Sequence, residues 1–143
     1  MKMKYSDLLD SRRIKPGKFT GKQIADCLKL AERDIKTAVR MADDDFDWAY
    51  SIAYNAMLQA SRALMFSKGY RPCGEGQHAS TIMFIRETLG REFGDDIDMM
   101  DIMRRKRNST LYDTAGLISL RESSESVITA RRFVERIRGI VAI

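Results

Sequence analysis

The stretch that decides the fold lies at residues 46–68 and reads FDWAYSIAYNAMLQASRALMFSK. Its alanines and larger apolar residues recur at spacings of three and four, which is the period of an α-helix. The small alanine side chains let a second helix approach closely. We therefore expect one long helix from Phe46 to Lys68, ended by Gly69. Its expected apolar and aromatic positions are Trp48, Ala49, Tyr50, Ile52, Ala53, Tyr54, Ala56, Met57, Ala60, Ala63 and Leu64.

Four more helices are predicted from the same period on either side of this one. Thr20 with Gln23, and Ser119 with Glu122, have the spacing of capping boxes and mark two helix starts. The five predicted spans are about residues 21–43, 46–68, 77–89, 95–112 and 120–143. No stretch alternates with period two, so the expected fold is all-α, an up-and-down antiparallel bundle of about five helices. Residues 1–19 are expected to form a leader with one short helical turn, and residues 20–143 a single domain.

Composition excludes several classes of function. The two cysteines are too few for a disulfide framework. The single histidine, His78, cannot supply the two Glu-x-x-His units of a di-iron carboxylate site. We therefore expect no metal and no cofactor. No apolar run is long enough for a signal peptide or a membrane span, so we expect a cytoplasmic protein with no membrane contact.

Charge is unevenly distributed along the chain. The net charge of +5 is made of +6 over residues 1–40, −5 over residues 41–100 and +4 over residues 101–143. Within the last segment, the final helix carries Arg131, Arg132, Arg136 and Arg138. Such segregation is compatible with a basic surface that attracts phosphates, and equally with solvated helix faces that differ in sign.

The fourth helix carries a charge on its apolar face. Ile97, Met100 and Met103 are followed four residues later by Arg107, where a further apolar residue is expected. A guanidinium at such a position needs a partner or an anion. Arg104, Asn108 and Tyr112 recur at intervals of four along the edge of the same face. These groups can hold a phosphate, although an internal salt bridge of Arg107 explains the pattern as well.

Three segments together resemble the HEPN family, the "higher eukaryotes and prokaryotes nucleotide-binding" helical domains. They are residues 49–56 with their alanines and tyrosines, residues 69–72 followed by His78, and residues 104–113 followed by a glycine-containing turn and an amphipathic last helix. The resemblance covers about residues 20–140. It implies a helical bundle, and in many members a metal-independent ribonuclease whose motif is an arginine, a polar residue and a histidine. Two copies of that motif usually meet across a homodimer cleft.

The resemblance places Arg107 and Asn108 on the first two motif positions and Tyr112 on the position of the histidine. The unperturbed pKa of tyrosine is about 10, against about 6.5 for histidine, so Tyr112 is a poor general base. Arg104, Arg107, Asn108 and Tyr112 are thus expected to bind a phosphate, and Arg107 and Tyr112 would be the catalytic pair if cleavage occurs. His78 is expected to order its loop, with a catalytic role as the less favoured alternative, and Cys73 is expected to be incidental.

Three functions remain open. The first is a homodimer that binds a nucleotide or RNA phosphate through Arg107 and its neighbours with weak or no ribonuclease activity. The second, implied by the family, is an active endoribonuclease that forms the toxin half of a toxin–antitoxin pair with a nucleotidyltransferase. The third is a structural or adaptor bundle without a ligand. The dimer is expected because the polar stripe beside Met100, Met103 and Leu111 suits contact with a symmetry mate.

Overall fold

The structure, a computed structural model, describes the backbone of residues 4–112 and 116–141 and the side chains of residues 4–108 and 116–141. Within these ranges it contains six α-helices and two short strands. In chain order they are α1 (Tyr5–Asp10), β1 (Ile14–Pro16), α2 (Gly21–Met41), α3 (Phe46–Ser67), β2 (Tyr70–Pro72), α4 (Gln77–Thr88), α5 (Gly94–Tyr112) and α6 (Leu120–Val141). A single 3-10 turn, Arg91–Phe93, separates α4 from α5. The prediction of an all-α bundle is confirmed.

The helix starts are fixed by the side chains that the sequence indicates. The Thr20 hydroxyl accepts the Gln23 amide at 3.1 Å, and the Gln23 side chain accepts the Thr20 amide at 2.8 Å. Ser119 and Glu122 form the same reciprocal pair at the start of α6. Asp45, the last residue of the acidic run, caps α3 by accepting the Trp48 amide. Each cap satisfies backbone N–H groups that have no partner within the helix.

The long helix α3 forms the centre of the bundle and packs chiefly against α2 and α6. Five of its alanines are fully buried, as the sequence predicts for close helix contact: Ala49, Ala53, Ala56, Ala60 and Ala63. Tyr54, Met57, Leu64 and Met65 fill the space between them and are also fully buried. One expected apolar position differs, because Trp48 in the first turn of α3 is half exposed. The middle of α3 is buried on almost every side, so its apolar residues do not mark a single face. The spacing of apolar residues therefore cannot show that Trp48 lies outside the core.

Two segments expected to be irregular pair with each other. β1 and β2 form a two-stranded antiparallel sheet in which Ile14 lies opposite Pro72. Three residues per strand are too few to show an alternating pattern, so this sheet has no signal in the sequence. Leu8 and Ile14 of the expected leader are buried in the main hydrophobic core. The N-terminal segment therefore packs along α4, where Tyr5 stacks on Phe84 and the Arg13 side chain reaches Ser80.

No helix in the described ranges combines the length and the apolar character needed to span a bilayer. The glycine-containing turn expected after α5 lies outside the described residues, apart from Gly116 at its end. The backbone of Gly116 and of Ile118 donates to the Asp47 carboxylate at 2.7 and 3.3 Å, which fixes the start of α6 beside the start of α3.

Candidate functional site

Arg107 lies where the spacing of α5 predicts, in register with a buried stripe. Ile97, Met100 and Met103 are at most 1% exposed, and Arg107 one turn later is partly buried. The carbon at the centre of its guanidinium, Cζ, lies 5.7 Å from the centre of the Tyr54 ring on α3. A guanidinium over the face of an aromatic ring is attracted by the ring's negative face. The aromatic ring thus gives the charge a favourable place on an otherwise apolar helix face.

Tyr54 joins Arg107 to the single histidine. The Tyr54 hydroxyl lies 3.0 Å from Nδ1 of His78, the second residue of α4, and the two rings are 5.8 Å apart at their centres. Tyr54 is fully buried, whereas His78 keeps an exposed face. Gly76 sets the entry to α4 with φ of 66°, a left-handed conformation that residues with a Cβ rarely adopt. The start of α4 therefore holds the imidazole against the tyrosine.

The electrostatic environment of this group is cationic. Burial of one side of the ring lowers the pKa of His78, and the positive charges of Arg107, Arg104 and Arg62 lower it further. Burial raises the pKa of Tyr54 far above its usual range, although Arg107 and Arg104 oppose the rise. At neutral pH the imidazole and the phenol are therefore both uncharged. We call Tyr54, Arg62, His78, Arg104 and Arg107 the α5 corner.

Arg104 is oriented by the carboxylate of Asp101. Its Nε and Nη2 both donate to Oδ1 of Asp101 at 3.1 Å, and the two side chains are about a quarter to a third exposed. Arg105 shares the other oxygen of the same carboxylate at 3.5 Å. Asn108, the amide of the predicted set, is exposed. Asp101 thus fixes a guanidinium that still reaches the surface.

The remaining predicted residue is only partly described. The backbone of Tyr112 forms the last turn of α5, and its side chain lies outside the described residues. The expected contribution of Tyr112 to phosphate binding or catalysis therefore stays a prediction. Met100 and Met103, in contrast, are fully buried inside this chain. These two methionines therefore offer no apolar surface to a symmetry mate, and the predicted homodimer stays a prediction.

The arginines of α6 do not form one basic side. Arg132 and Arg136 both bind the carboxylate of Asp96, which is almost fully buried, at 2.5 and 3.3 Å. The guanidinium of Arg136 also covers the Phe93 ring at 3.7 Å. Arg138 pairs with Glu32 at 2.7 Å, and Arg131 lies 3.7 Å from a glutamate on its own helix. The hypothesis that the last helix binds phosphates is therefore less favoured, because each of these four arginines forms an ion pair with a carboxylate.

A separate open groove of about 540 Å³ runs between α2 and α6. Val39 and Val134 contribute its apolar lining, and Lys36, Arg40 and Arg131 its cations. None of its lining residues belongs to the α5 corner. Within the described residues, no group of three or more His, Cys, Asp or Glu side chains converges as a metal site would require.

Sequence reasoning finds Arg104 and Arg107 and misses Tyr54 and Arg62 as members of the α5 corner. It assigns Tyr54 to the core of α3, and it assigns His78 to its loop with catalysis as the less favoured alternative. Arg62 lies eight residues after Tyr54 and so shares its side of α3, which is the one sequence signal that could have indicated it. No sequence pattern indicates the contact of Tyr54 with His78, because the two residues are 24 positions apart and lie on different helices.

Comparison with known proteins shows a family and a similar fold. A family model described as "HEPN domain" matches residues 24–140. The crystal structure of an archaeal HEPN homologue is similar to this chain with a TM-score of 0.64 and 18% identity, and the alignment covers 82% of this chain and 97% of the homologue. At that identity the likeness concerns the fold. No curated protein matches the chain.

Proposed function

The chain belongs to the HEPN domain family, and on that premise we propose that it is a homodimer that binds the phosphate of a nucleotide or RNA through Arg107 and its neighbours. We further propose that its ribonuclease activity is weak or absent. The observation that carries the proposal is the α5 corner, where cations from two helices surround an uncharged tyrosine and histidine.

The chemistry of these groups suits a phosphate. A guanidinium is always charged and offers a planar fork of donors that matches two phosphate oxygens. Arg104 and Arg107 lie one helical turn apart on the same side of α5, so both can approach one anion. Partial burial strengthens the attraction, because solvent screens it less than at a fully exposed site. Asn108, exposed beside them, adds an amide donor.

Weak cleavage is expected from the residue at the motif's last position. Tyr112 stands where many members of the family carry a histidine, and a phenol with a pKa near 10 remains protonated at neutral pH. It can donate a hydrogen bond to a phosphate but cannot readily take the proton of a ribose 2′-hydroxyl. Binding and cleavage are therefore separable in this chain.

One observation favours the alternative of an active, metal-independent endoribonuclease. His78 is uncharged at neutral pH and lies beside Tyr54, over which Arg107 is placed. A neutral imidazole near a phosphate-binding arginine is a suitable general base. In that case the protein would act as a toxin, and a nucleotidyltransferase would be its expected partner. The third candidate, an adaptor bundle without a ligand, requires that the corner serve stability alone.

The three candidates differ in two measurements on the same samples. We expect a fluorescent single-stranded oligoribonucleotide to bind the wild type with an affinity that falls as salt rises. Arg107→Gln should weaken binding about tenfold with an unchanged circular dichroism spectrum, whereas Arg131→Gln in the α2–α6 groove should not. Arg107→Lys keeps the positive charge and loses the planar pair of guanidinium donors, so its affinity should lie between those of Arg107→Gln and Arg131→Gln.

Each contrary result selects another candidate. Robust cleavage by the wild type that Arg107→Gln abolishes would establish the endoribonuclease. Flat titrations together with a destabilised Arg107→Gln variant would establish the adaptor. Equal losses in Arg107→Gln and Arg131→Gln would move the binding surface away from the α5 corner.

The homodimer rests on the family and on apolar surface elsewhere. Trp48, Ile102 and Leu120, on three different helices, are each about half exposed. Ile102 borders a groove with Tyr50 and Met99 between α5 and α6, which a second copy can cover if it brings cations to the four carboxylates that also line the groove. Light scattering should give twice the monomer mass, and Ile102→Asp should shift it toward the monomer. A monomer at high micromolar concentration would remove this part of the proposal.

A further inference from the structure

We propose that His78 is a ligand of the phosphate site and that its imidazole takes up a proton from solvent when the anion binds. This inference rests on the proposed function and assigns a role to the one residue of the α5 corner that can change its charge near neutral pH. It goes beyond loop ordering, which requires only the contact of His78 with Tyr54.

The geometry leaves one ring nitrogen for a ligand. Nδ1 is occupied by the Tyr54 hydroxyl at 3.0 Å. Nε2 makes no hydrogen bond to any described residue, and the side chain is exposed. A protonated imidazole donates from both nitrogens, and the tyrosine hydroxyl can accept as readily as it donates. Tyr54 therefore accommodates either protonation state of His78 while Nε2–H is offered to a phosphate oxygen.

The charges around the ring explain why the proton arrives with the anion. Among the described residues, the charged groups that act on His78 are Arg62 from α3 and Arg104 and Arg107 from α5, and all three are cations. They disfavour a further positive charge as long as the site holds no anion. A phosphate between Arg104 and Arg107 offsets their charge, so the pKa of His78 rises in the complex. By linkage, the affinity for the anion must then rise as the pH falls.

The single histidine makes the test direct. The imidazole proton resonance should be followed between about pH 5 and about pH 8, a range in which sulfate and an RNA phosphodiester keep their charge. Saturating sulfate, or an oligoribonucleotide without a terminal phosphate, should move the titration midpoint of His78 upward relative to chloride at equal ionic strength. Arg107→Gln should raise the midpoint without anion and abolish the shift. Any histidine tag must be removed first.

Affinity provides the second readout. The wild type should bind the oligoribonucleotide more tightly as the pH falls, by up to about tenfold per pH unit, the limit for uptake of one proton. His78→Gln should bind with an affinity that does not depend on pH, whereas Gln77→Ala, its exposed neighbour, should behave as the wild type.

The outcomes separate this inference from the function on which it rests. If Arg107→Gln weakens binding and the His78 midpoint does not respond to saturating anion, the inference is wrong and the phosphate site stands. An equal shift in Arg107→Gln and the wild type would indicate general screening and would also overturn it. If neither anion binds at any pH, the proposed function falls and the inference falls with it.

Discussion

Two arginine pairs on neighbouring helices differ in what lies between them. Arg132 and Arg136 on α6 hold the carboxylate of Asp96, which is 4% exposed in its side chain. Arg104 and Arg107 on α5 lie beside an uncharged tyrosine and an uncharged histidine, and the nearby carboxylate of Asp101 is shared with Arg105. We call the first group the α6 pair. From sequence, the α6 pair belongs to a basic helix face and Arg107 is a charge on an apolar face, and both are compatible with phosphate binding.

The difference separates cations that stabilise the fold from cations that can bind a ligand. In the α6 pair, a buried carboxylate ties α5 to α6 and uses the donors of both guanidinium groups. Among the described side chains of the α5 corner and its neighbours, three arginines lie near the single carboxylate of Asp101, and the pKa of His78 is lowered by burial and further by the charges of these arginines. An excess of like charge in one place costs stability and is typical of binding sites. The difference can be tested by substituting residues in one of the two groups at a time.

The largest effect is expected from the buried carboxylate of the α6 pair. Asp96→Asn should lower the free energy of unfolding by about 2 kcal/mol, because two guanidinium groups lose their counter-charge and only partly regain water. Urea denaturation measures it. Asp98→Asn, whose exposed carboxylate pairs with Arg86 on the surface, should stay within about 0.5 kcal/mol of the wild type. Equal stability of the two variants would show that the ion pairs of Asp96 do not stabilise the fold.

The second effect is on oligoribonucleotide affinity, and it should be opposite for the α6 pair and the α5 corner. Arg136→Gln should reduce stability and leave oligoribonucleotide affinity unchanged, because its donors are used within the fold by Asp96 and by the carbonyl of Glu92. Arg107→Gln should do the reverse, with about a tenfold loss of affinity. Fluorescence anisotropy and urea denaturation on both variants measure the pattern. A loss of affinity in Arg136→Gln with an intact fold would show that the α6 pair also binds the oligoribonucleotide.

A smaller effect of opposite sign is expected from the carboxylate of the α5 corner. Asp101→Asn should tighten oligoribonucleotide binding about twofold to threefold, because it removes the negative charge nearest Arg104. The gain should diminish at high salt, since the region is partly exposed. Titrations at two salt concentrations measure it, with Asp98→Asn as the control on the same helix. Weaker binding in Asp101→Asn would mean that orienting Arg104 matters more than its charge.

The smallest effect is the contribution of His78 to stability. Its pKa is lowered in the folded protein, so the unfolded chain takes up a proton at a pH where the folded chain does not. The free energy of unfolding should therefore fall as the pH drops below the ordinary value of about 6.5. His78→Gln should remove this part of the pH dependence without anion present. Parallel pH profiles for the two proteins would contradict a lowered pKa.

The helices could be predicted because their signals are local. Thr20, Asp45 and Ser119 cap helices whose partners lie three residues away, and the period of three and four is read within one segment. The two-stranded sheet could not be predicted, since β1 and β2 are short and come together only across the chain. Two of the five residues of the α5 corner could be predicted in the same way, because Arg104 and Arg107 lie on one helix. Tyr54 and His78 could not.

The sequence by itself determined the bundle, its helix boundaries and the unusual charge on the apolar face of α5. These depend on hydrogen bonds and side-chain spacing within a few residues. Only the tertiary structure decided which arginines have a buried counter-charge, because Asp96 and Arg132 are 36 residues apart. It also brought the single histidine to Tyr54 across 24 residues. Electrostatic interactions depend on distance in space and on burial, and neither is written in the order of residues.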